Sequence, residues 1–166
     1  MRIYLTGFMG SGKSTIGRLL SEQTGFLFID LDKEIEYKLS LSPVEIFERL
    51  GEQFFREQET ELLHKFQMDP LILATGGGCF IQNRDWMLKN GTVIFLDVPF
   101  AQLVSRIGAD HTRPLWKNAE KLYKDRCEEY KKAHHCIDAT GKPEEVVERI
   151  KALPLLPPGL RKTRES

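Results

Sequence analysis

The feature that most constrains the fold of this chain is a glycine-rich segment near its start, GFMGSGKS, which spans Gly7 to Ser14. The segment matches the pattern G-x-x-x-x-G-K-[ST]. It follows an apolar run of strand length and opens a segment with helical periodicity. In that setting glycines let backbone N–H groups surround phosphate oxygens, and the helix start adds partial positive charge. The segment therefore predicts a nucleotide-phosphate site, in which Lys13 reaches the β- and γ-phosphates and Ser14 contacts Mg²⁺.

Apolar segments of strand length alternate with helical periodicity along the chain, which is typical of a parallel sheet covered by helices. The segment Val93 to Leu96 is continuously apolar, which indicates a strand buried on both faces. The predicted strands are Arg2–Thr6, Phe26–Asp30, Leu71–Thr75, Thr92–Leu96 and His135–Ile137. The predicted helices are Lys13–Gln23, Lys33–Leu39, Pro43–Met68 with a break near Gly51, Arg84–Lys89, Pro99–Ile107, Ala119–Ala133 and Pro143–Leu153.

The length and charge of the chain predict a single ordinary globular domain. Its 166 residues correspond to about one domain, which we place at residues 1–153, with residues 154–166 as a loosely attached tail. Lys and Arg together number 24 and so do Asp and Glu, so the formal net charge is +0. Such a balance gives no overall attraction to nucleic acid or to an anionic membrane. We expect neither as a partner, and we expect a monomer.

The start of the chain and its cysteines predict a cytoplasmic location. Met1 leads almost directly into a strand, without the pattern of a secretory signal, and no apolar run approaches the roughly 18 residues of a membrane span. The three cysteines, Cys79, Cys127 and Cys136, show no C-x-x-C spacing. We therefore expect reduced thiols rather than a disulfide framework or a zinc site.

Two apolar runs end in aspartate, at Asp30 and Asp97. Both resemble the strand-plus-aspartate pattern that holds Mg²⁺ beside a phosphate loop. Only the first has a second carboxylate two residues later, at Asp32, so that this pair could serve a metal and a substrate hydroxyl together. A helix N-cap is the alternative role for Asp32. Asp97 precedes Val98 and Pro99 and is better explained as a strand end.

Three arginines and a glycine triplet are the remaining candidates for anion binding. Arg56 follows two phenylalanines, Arg113 lies in a segment between Gly108 and Pro114 that could close as a lid, and Arg126 lies in the following helix. A solvated surface charge is the alternative for each arginine. Residues 76–78 are all glycine and follow a predicted strand, where open α/β sheets bind ligands. A tight turn is the alternative for the triplet.

Taken in order, these segments resemble the shikimate kinase family. The resemblance covers residues 2–153 and depends on the joint order of the motifs, because no single motif after the phosphate loop is decisive. The motifs are Gly12-Lys13-Ser14-Thr15, Asp30-Leu31-Asp32, Ile46-Phe47 followed by Gly51 to Arg56 and Glu59, Thr75 to Gly78, and Thr112 to Leu115.

The resemblance implies a fold and a reaction. The fold is an α/β, three-layer P-loop fold like that of nucleoside monophosphate kinases, with a five-stranded parallel sheet in the order 2-3-1-4-5. The reaction is transfer of the γ-phosphate of ATP to the 3-hydroxyl of shikimate, in aromatic amino acid biosynthesis. ATP is then the co-substrate, Mg²⁺ the cofactor, and residues from about 108 to 118 form the lid.

The resemblance also implies roles for individual residues. The catalytic group consists of Lys13, Asp32 and Arg113, with Asp32 on the substrate hydroxyls and Arg113 in the lid. The metal lies at Ser14 and Asp30. The substrate-binding residues implied are Asp32, Phe47, Phe55, Arg56, Gly77, Gly78 and Arg126. The nucleotide-binding residues implied are Gly10, Ser11, Gly12, Lys13, Ser14, Thr15, Arg106, Arg113 and Lys142, with adenine near Arg106 and the segment Ala139 to Pro143.

Other functions remain open at this point. Gluconate kinase or a nucleoside monophosphate kinase would share the fold, and an ATP-binding regulatory module would share the phosphate loop without catalysis. A signalling GTPase is disfavoured because no Asn-Lys-x-Asp motif is present. The chain also departs from the family pattern at Leu41-Ser42-Pro43-Val44, where the family usually has Gly-x-Ser-Ile.

Overall fold

The structure is a computed structural model that describes residues 1–108 and 118–155. Strands and helices alternate along this part of the chain, as the sequence predicts. The strands are β1 Arg2–Thr6, β2 Leu27–Asp30, β3 Leu71–Ala74, β4 Thr92–Asp97 and β5 His135–Asp138. The helices are α1 Lys13–Thr24, α2 Leu31–Leu39, α3 Pro43–Arg49, α4 Gly51–Lys65, α5 Cys79–Asn90, α6 Phe100–Ile107, α7 Ala119–Tyr130 and α8 Pro143–Lys151.

The five strands form one parallel sheet in the order β2-β3-β1-β4-β5, which confirms the predicted fold class and strand order. The register aligns Leu5 of β1 with Ala74 of β3, and Ala74 in turn with Asp30 of β2. The carboxyl ends of these three strands therefore lie level at one edge of the sheet. The segments that follow them are the phosphate loop, the start of α2 and the glycine triplet.

The core lies on both faces of the sheet. All four residues of β3 are buried, and so is the segment Val93 to Leu96 of β4, as expected for strands covered by helices on both sides. Helix α1 packs against α8 and against β1, β2 and β3, while α5 packs against α4, α7, β1 and β4. The three-layer arrangement follows from these contacts.

Helix α1 approaches β2 unusually closely at Gly17. A Cβ atom at this position would collide with the ring of Phe28, so only glycine fits between the helix and the strand. This contact fixes the helix that begins at the phosphate loop against the strand that ends at Asp30.

Two helices begin earlier than the sequence predicts. Helix α5 starts at Cys79, directly after the glycine triplet, whereas the prediction placed its start at Arg84. Asn83 has non-helical dihedral angles (φ −113°, ψ 18°), so a kink divides the helix and hides its first turn from a periodicity argument. Helix α2 starts at Leu31 with Asp30 as its N-cap, so Asp32 is not the N-cap but lies in the first turn.

Parts of two predicted segments lie outside the described residues. These are the lid from 109 to 117, which includes Arg113, and the tail from 156 to 166. Leu153, the last residue of the predicted domain, and Leu155, at the start of the tail, pack partly against the core. Within the described part of the chain, no helix is long and apolar enough to cross a membrane.

Candidate active site

A cavity of about 530 Å³ opens at the carboxyl edge of the sheet. It brings together the phosphate loop, the aspartates after β2, the aromatic and charged face of α4, the glycine triplet after β3, and Arg126 of α7. Its lining includes Gly10, Gly12, Lys13, Ser14, Thr15, Asp30, Asp32, Phe47, Phe55, Arg56, Gly76, Gly77, Gly78, Arg106 and Arg126, together with Glu59.

The phosphate loop has the backbone conformation that its glycines allow. Gly10 and Gly12 have φ values of 82° and 96°, in the region that residues with a Cβ rarely adopt. The Lys13 ammonium donates hydrogen bonds to the carbonyl oxygens of Gly7 (2.8 Å) and Phe8 (3.0 Å), so its charge lies over the loop. Phosphate oxygens in the loop would meet both this charge and the start of α1.

The hydroxyl of Ser14 donates a hydrogen bond to the carboxylate of Asp30. The second oxygen of that carboxylate accepts from the N–H of Lys33 (3.3 Å), which fixes Asp30 as the cap of α2. A hydroxyl and a carboxylate are hard oxygen donors of the kind that Mg²⁺ prefers, and Mg²⁺ usually takes only one or two carboxylates from a protein. The pair predicted to lie at the metal therefore fits that ion.

Asp32 is half-buried and lines the cavity. Its Oδ1 atom has no hydrogen-bond partner among the described residues. Burial, and then the neighbouring charge of Asp30, raise the pKa of Asp32, while Lys13 and Arg56 oppose that rise. An unpartnered carboxylate oxygen with a raised pKa can accept a hydrogen bond, or a proton, from a substrate hydroxyl.

Arg56 is held by two glutamates of its own helix. It donates from Nη1 to Glu59 (2.6 Å) and from Nη2 to Glu52 (3.2 Å). Glu59 is fully buried, and burial raises its pKa to about 7, opposed by Arg56 and reinforced by Asp32. Glu59 therefore fixes the guanidinium at the wall of the cavity.

The glycine triplet provides the surface on which these side chains pack. A Cβ at Gly78 would lie 2.5 Å from Cζ of Arg56, and one at Gly77 would lie 2.9 Å from Nη1 of Arg126. A Cβ at Gly76 would collide with Glu59 and lie 2.7 Å from Oδ1 of Asp32. Glycine at all three positions thus lets two arginines and two carboxyl groups converge on one loop.

Aromatic side chains complete the wall beside Arg56. The rings of Phe47 and Phe55 lie 5.2 Å apart, and the Arg56 guanidinium lies 5.5 Å from the centre of the Phe55 ring. These rings give the cavity an apolar part beside its charged groups. A ligand with a ring and several polar substituents fits such a lining.

A second cavity of about 280 Å³ adjoins the phosphate loop on its other side. Arg106 crosses it and donates to the carbonyl oxygens of Ala139 (3.0 Å) and Gly10 (3.4 Å). Ser11, Thr15 and Gly141 also line this cavity, whereas Lys142 lines neither cavity and precedes α8. The position suits a nucleoside attached to phosphates in the loop.

The sequence indicates no role for two residues that matter to the site: Glu59, which lines the cavity, and Tyr130, which contacts the glycine triplet from outside it. Glu59 was part of a motif, but the sequence does not show that it is buried against Arg56. Tyr130 lies four residues after Arg126, and this spacing, which places both on one face of a helix, is the signal that could have found it.

Comparisons with known proteins place these observations in a family. The model of the shikimate kinase family matches residues 9–153. Shikimate kinase of Sulfurihydrogenibium sp. is 40% identical to this chain, over 89% of this chain and 94% of the relative. The structure of shikimate kinase from Acinetobacter baumannii in complex with shikimate is similar, with a TM-score of 0.85 and 36% identity, over 90% of this chain and 89% of that one.

A gluconokinase from Sinorhizobium meliloti shares the fold but little sequence. Its TM-score is 0.54 at 18% identity, over 88% of this chain and 86% of that one. This likeness shows a common architecture alone.

Proposed function

The chain belongs to the shikimate kinase family, and on that premise we propose that it transfers the γ-phosphate of ATP to the 3-hydroxyl of shikimate. The products are shikimate 3-phosphate and ADP. One observation carries the proposal for this chain itself: a single cavity joins the phosphate loop to a carboxylate-binding end formed by Arg56, Arg126 and the glycine triplet.

The two ends of the cavity suit the two parts of the reaction. Lys13 and the loop N–H groups belong to the phosphate end. Two arginines and the N–H groups of Gly77 and Gly78 suit a planar carboxylate, which forms strong bidentate hydrogen bonds with guanidinium groups. Shikimate is a hydroxylated monocarboxylate with a ring, so its carboxylate would lie at the arginines and its ring beside the two phenylalanines.

Asp32 lies between these two ends. Its charge interacts with Lys13 on one side and with Arg56 on the other. From this position it would orient the acceptor hydroxyl and take its proton as the hydroxyl oxygen attacks the γ-phosphorus and ADP leaves. Such transfer depends mainly on positioning and on stabilisation of charge. Lys13 contributes to the stabilisation of charge.

Ser14 and Asp30 would hold Mg²⁺ with the nucleotide. When bound, the ion neutralises charge that develops on the phosphate oxygens. Arg113 would approach the same oxygens from the lid, and its assignment rests on its match to the family motif Thr112 to Leu115. The monomeric state, the cytoplasmic location and the tail after residue 153 stay predictions from the sequence.

The gluconate kinase alternative is less well supported. The gluconokinase shares only the fold, whereas the shikimate kinases share 36–40% of aligned residues. Nothing in the cavity favours gluconate over a cyclic acid, and the paired phenylalanines favour a ring.

The proposal is tested with ATP that carries ³²P in its γ-phosphate, by identifying the product in which the ³²P label appears. Incubation with Mg²⁺ and shikimate should move the label to the 3-hydroxyl of shikimate, with one ADP formed for each label transferred. Release of the label as inorganic phosphate, without labelled shikimate 3-phosphate, would contradict the proposed reaction.

A further inference from the structure

A buried tyrosine at the end of α7 contacts the glycine loop from behind. Tyr130 is fully buried, and its ring lies 5.1 Å from that of Phe95 of β4. Its hydroxyl donates a hydrogen bond to the carbonyl oxygen of Gly77. Burial raises the pKa of Tyr130, so the hydroxyl keeps its proton and remains a donor. Tyr130 does not line the cavity and cannot touch a substrate there.

The hydrogen bond fixes the direction of the next N–H group. The peptide between Gly77 and Gly78 is trans, and in a trans peptide the C=O and N–H bonds point in opposite directions. Because the Gly77 carbonyl oxygen accepts from Tyr130, which does not line the cavity, the Gly78 N–H points away from Tyr130, and both glycines line the cavity. Within residues 1–108 and 118–155, no hydrogen bond uses this N–H as a donor.

Glycine residues do not hold such an orientation by themselves, because their backbone adopts many conformations. Gly78 also caps α5, so its N–H is one of those that a helix leaves without an internal partner. One hydrogen bond closes the loop itself, from the Cys79 N–H to the Gly76 carbonyl oxygen (3.1 Å), as in a β-turn with Gly77 and Gly78 at its centre. The central peptide of such a turn can take two opposite orientations, and glycine permits both, so an external contact is needed to hold the Gly78 N–H in one of them before the substrate arrives.

The same hydroxyl lies beside Arg126. The charge of the guanidinium opposes the rise in the pKa of Tyr130. A Cβ at Gly77 would lie 2.9 Å from Arg126 Nη1 and 3.2 Å from the Tyr130 hydroxyl, so the three groups meet at one point. One phenolic oxygen thus connects the arginine of the site with the glycine loop.

From this geometry we propose that Tyr130 is a positioning residue for substrate binding: its hydroxyl holds the Gly77 carbonyl and so aims the Gly78 N–H at the substrate carboxylate. The proposal rests on the proposed function, because it takes shikimate as the acceptor. It assigns Tyr130 no contact with either substrate.

The test is replacement of Tyr130 by phenylalanine, which removes the hydroxyl and keeps the ring. We expect the KM for shikimate to rise about 10-fold, as for loss of one buried hydrogen bond, with the KM for ATP and the Kd for ADP unchanged. Tyr4→Phe is the matched control, because Tyr4 is equally buried, packs against Trp86 and lies outside the cavity. Because the Tyr4 hydroxyl has no hydrogen-bond partner among the described residues, its removal should leave Tm nearly unchanged. A Tyr130→Phe protein that stays folded at the assay temperature, with a rise in the shikimate KM that Tyr4→Phe lacks, would separate positioning from the general effect of removing a buried hydroxyl.

A second comparison tests whether Tyr130 acts through the Gly77–Gly78 peptide rather than through Arg126. If Tyr130 acted only by holding Arg126, Tyr130→Phe would have no effect in an Arg126→Ala background. We expect the shikimate KM to rise several-fold further in that background, because the Gly78 N–H is still misdirected.

Three results would overturn the proposal. The first is an unchanged shikimate KM in Tyr130→Phe, and the second is a rise equal to that of Tyr4→Phe. The third is the absence of any added effect in the Arg126→Ala background. In each of these three outcomes the parent protein still phosphorylates shikimate, so the proposed function stands and only the role of Tyr130 is refuted. A parent protein that does not phosphorylate shikimate would overturn both the proposed function and the role of Tyr130.

Discussion

At the residue scale, the site brings together charged side chains that are buried wholly or in part: Glu59 is fully buried, and Asp32 and Arg56 are half-buried. Asp32, Arg56 and Glu59 lie around the glycine triplet, and two of them have a carboxyl oxygen without a partner among the described residues. Charged groups lose hydration energy on burial unless they are paired. The pair Arg56 and Glu59 satisfies part of this requirement, and a bound substrate hydroxyl would satisfy the free oxygen of Asp32.

Replacement of Asp32 by asparagine should lower kcat. The amide has nearly the same shape but cannot take the proton of the acceptor hydroxyl, and loss of such a group typically costs about 100-fold or more. The Kd for ADP should stay the same, because the nucleotide binds at the other end of the cavity. Steady-state kinetics with saturating ATP would measure the effect, and a kcat within threefold of the parent value would contradict the role of Asp32.

Replacement of either Arg56 or Arg126 by alanine should weaken shikimate binding. A charge-assisted contact to a carboxylate is worth about 2–3 kcal/mol, so the shikimate KM should rise about 30- to 150-fold. Arg84→Ala is a suitable control, since Arg84 pairs with Glu129 outside the cavity (2.7 Å). An unchanged shikimate KM in both site variants would refute the carboxylate assignment.

Replacement of Glu59 by glutamine should change how stability depends on pH. The pKa of Glu59 is raised from 4.5 to about 7 in the folded protein, so the folded state binds this proton more tightly than the unfolded chain. As pH rises from about 4.5 through 7, the unfolded chain releases the proton first, and the free energy of unfolding falls.

Urea unfolding at several pH values would measure that dependence. The free energy of unfolding of the parent protein, minus that of Glu59→Gln, should decrease as pH rises across the interval. Glu57→Gln, an exposed substitution on the same helix, controls for the loss of a glutamate. A difference that stays flat or rises with pH would contradict the buried state of Glu59.

The sequence predicts some of these residues better than others. Lys13 and Ser14 follow from a contiguous motif, because the backbone of one loop brings its own residues together. Glu59 and Tyr130 owe their environment to α4, α7 and the loop after β3, which are distant along the chain. Their burial and partners depend on tertiary packing that periodicity does not specify.

At the element scale, the close approach of α1 to β2 holds the helix that begins at the phosphate loop against the strand that ends at Asp30. Gly17→Ala should destabilise the fold although alanine favours helices, because its Cβ would collide with the Phe28 ring. We expect a loss of about 1–3 kcal/mol, as for overpacking of a core. Chemical denaturation would measure it.

A second substitution tests the cause of that loss. Phe28→Leu removes the ring atoms that the new Cβ would meet, so the double variant should lose less stability than the sum of the two single variants. Simple additivity, or a stable Gly17→Ala protein, would contradict the proposed close contact.

Element boundaries show where sequence patterns are insufficient. The sequence predicts a break near Gly51, and the chain forms two helices there, α3 and α4. The predicted start of α5, at Arg84, is five residues too late, because the kink at Asn83 interrupts the helical period. The earlier start matters for function, since it makes Gly78 the cap of a helix that begins at the cavity.

At the scale of the whole molecule, the strand order determines where the site forms. β1 is central, with β3 on one side and β4 on the other. The phosphate loop therefore lies between the glycine loop after β3 and the segment after β4 that leads to Arg106. Alternating strands and helices predicted a parallel sheet, but the order of its strands came from the family resemblance rather than from the pattern.

The central claim is that this cavity selects shikimate as the phosphate acceptor. The most direct measurement is ADP formation from ATP and Mg²⁺ by the purified protein, with shikimate, gluconate and AMP as parallel acceptors. We predict turnover with shikimate and only background ADP formation with the other two. Turnover with gluconate or AMP and none with shikimate would contradict the assignment of the acceptor end of the cavity.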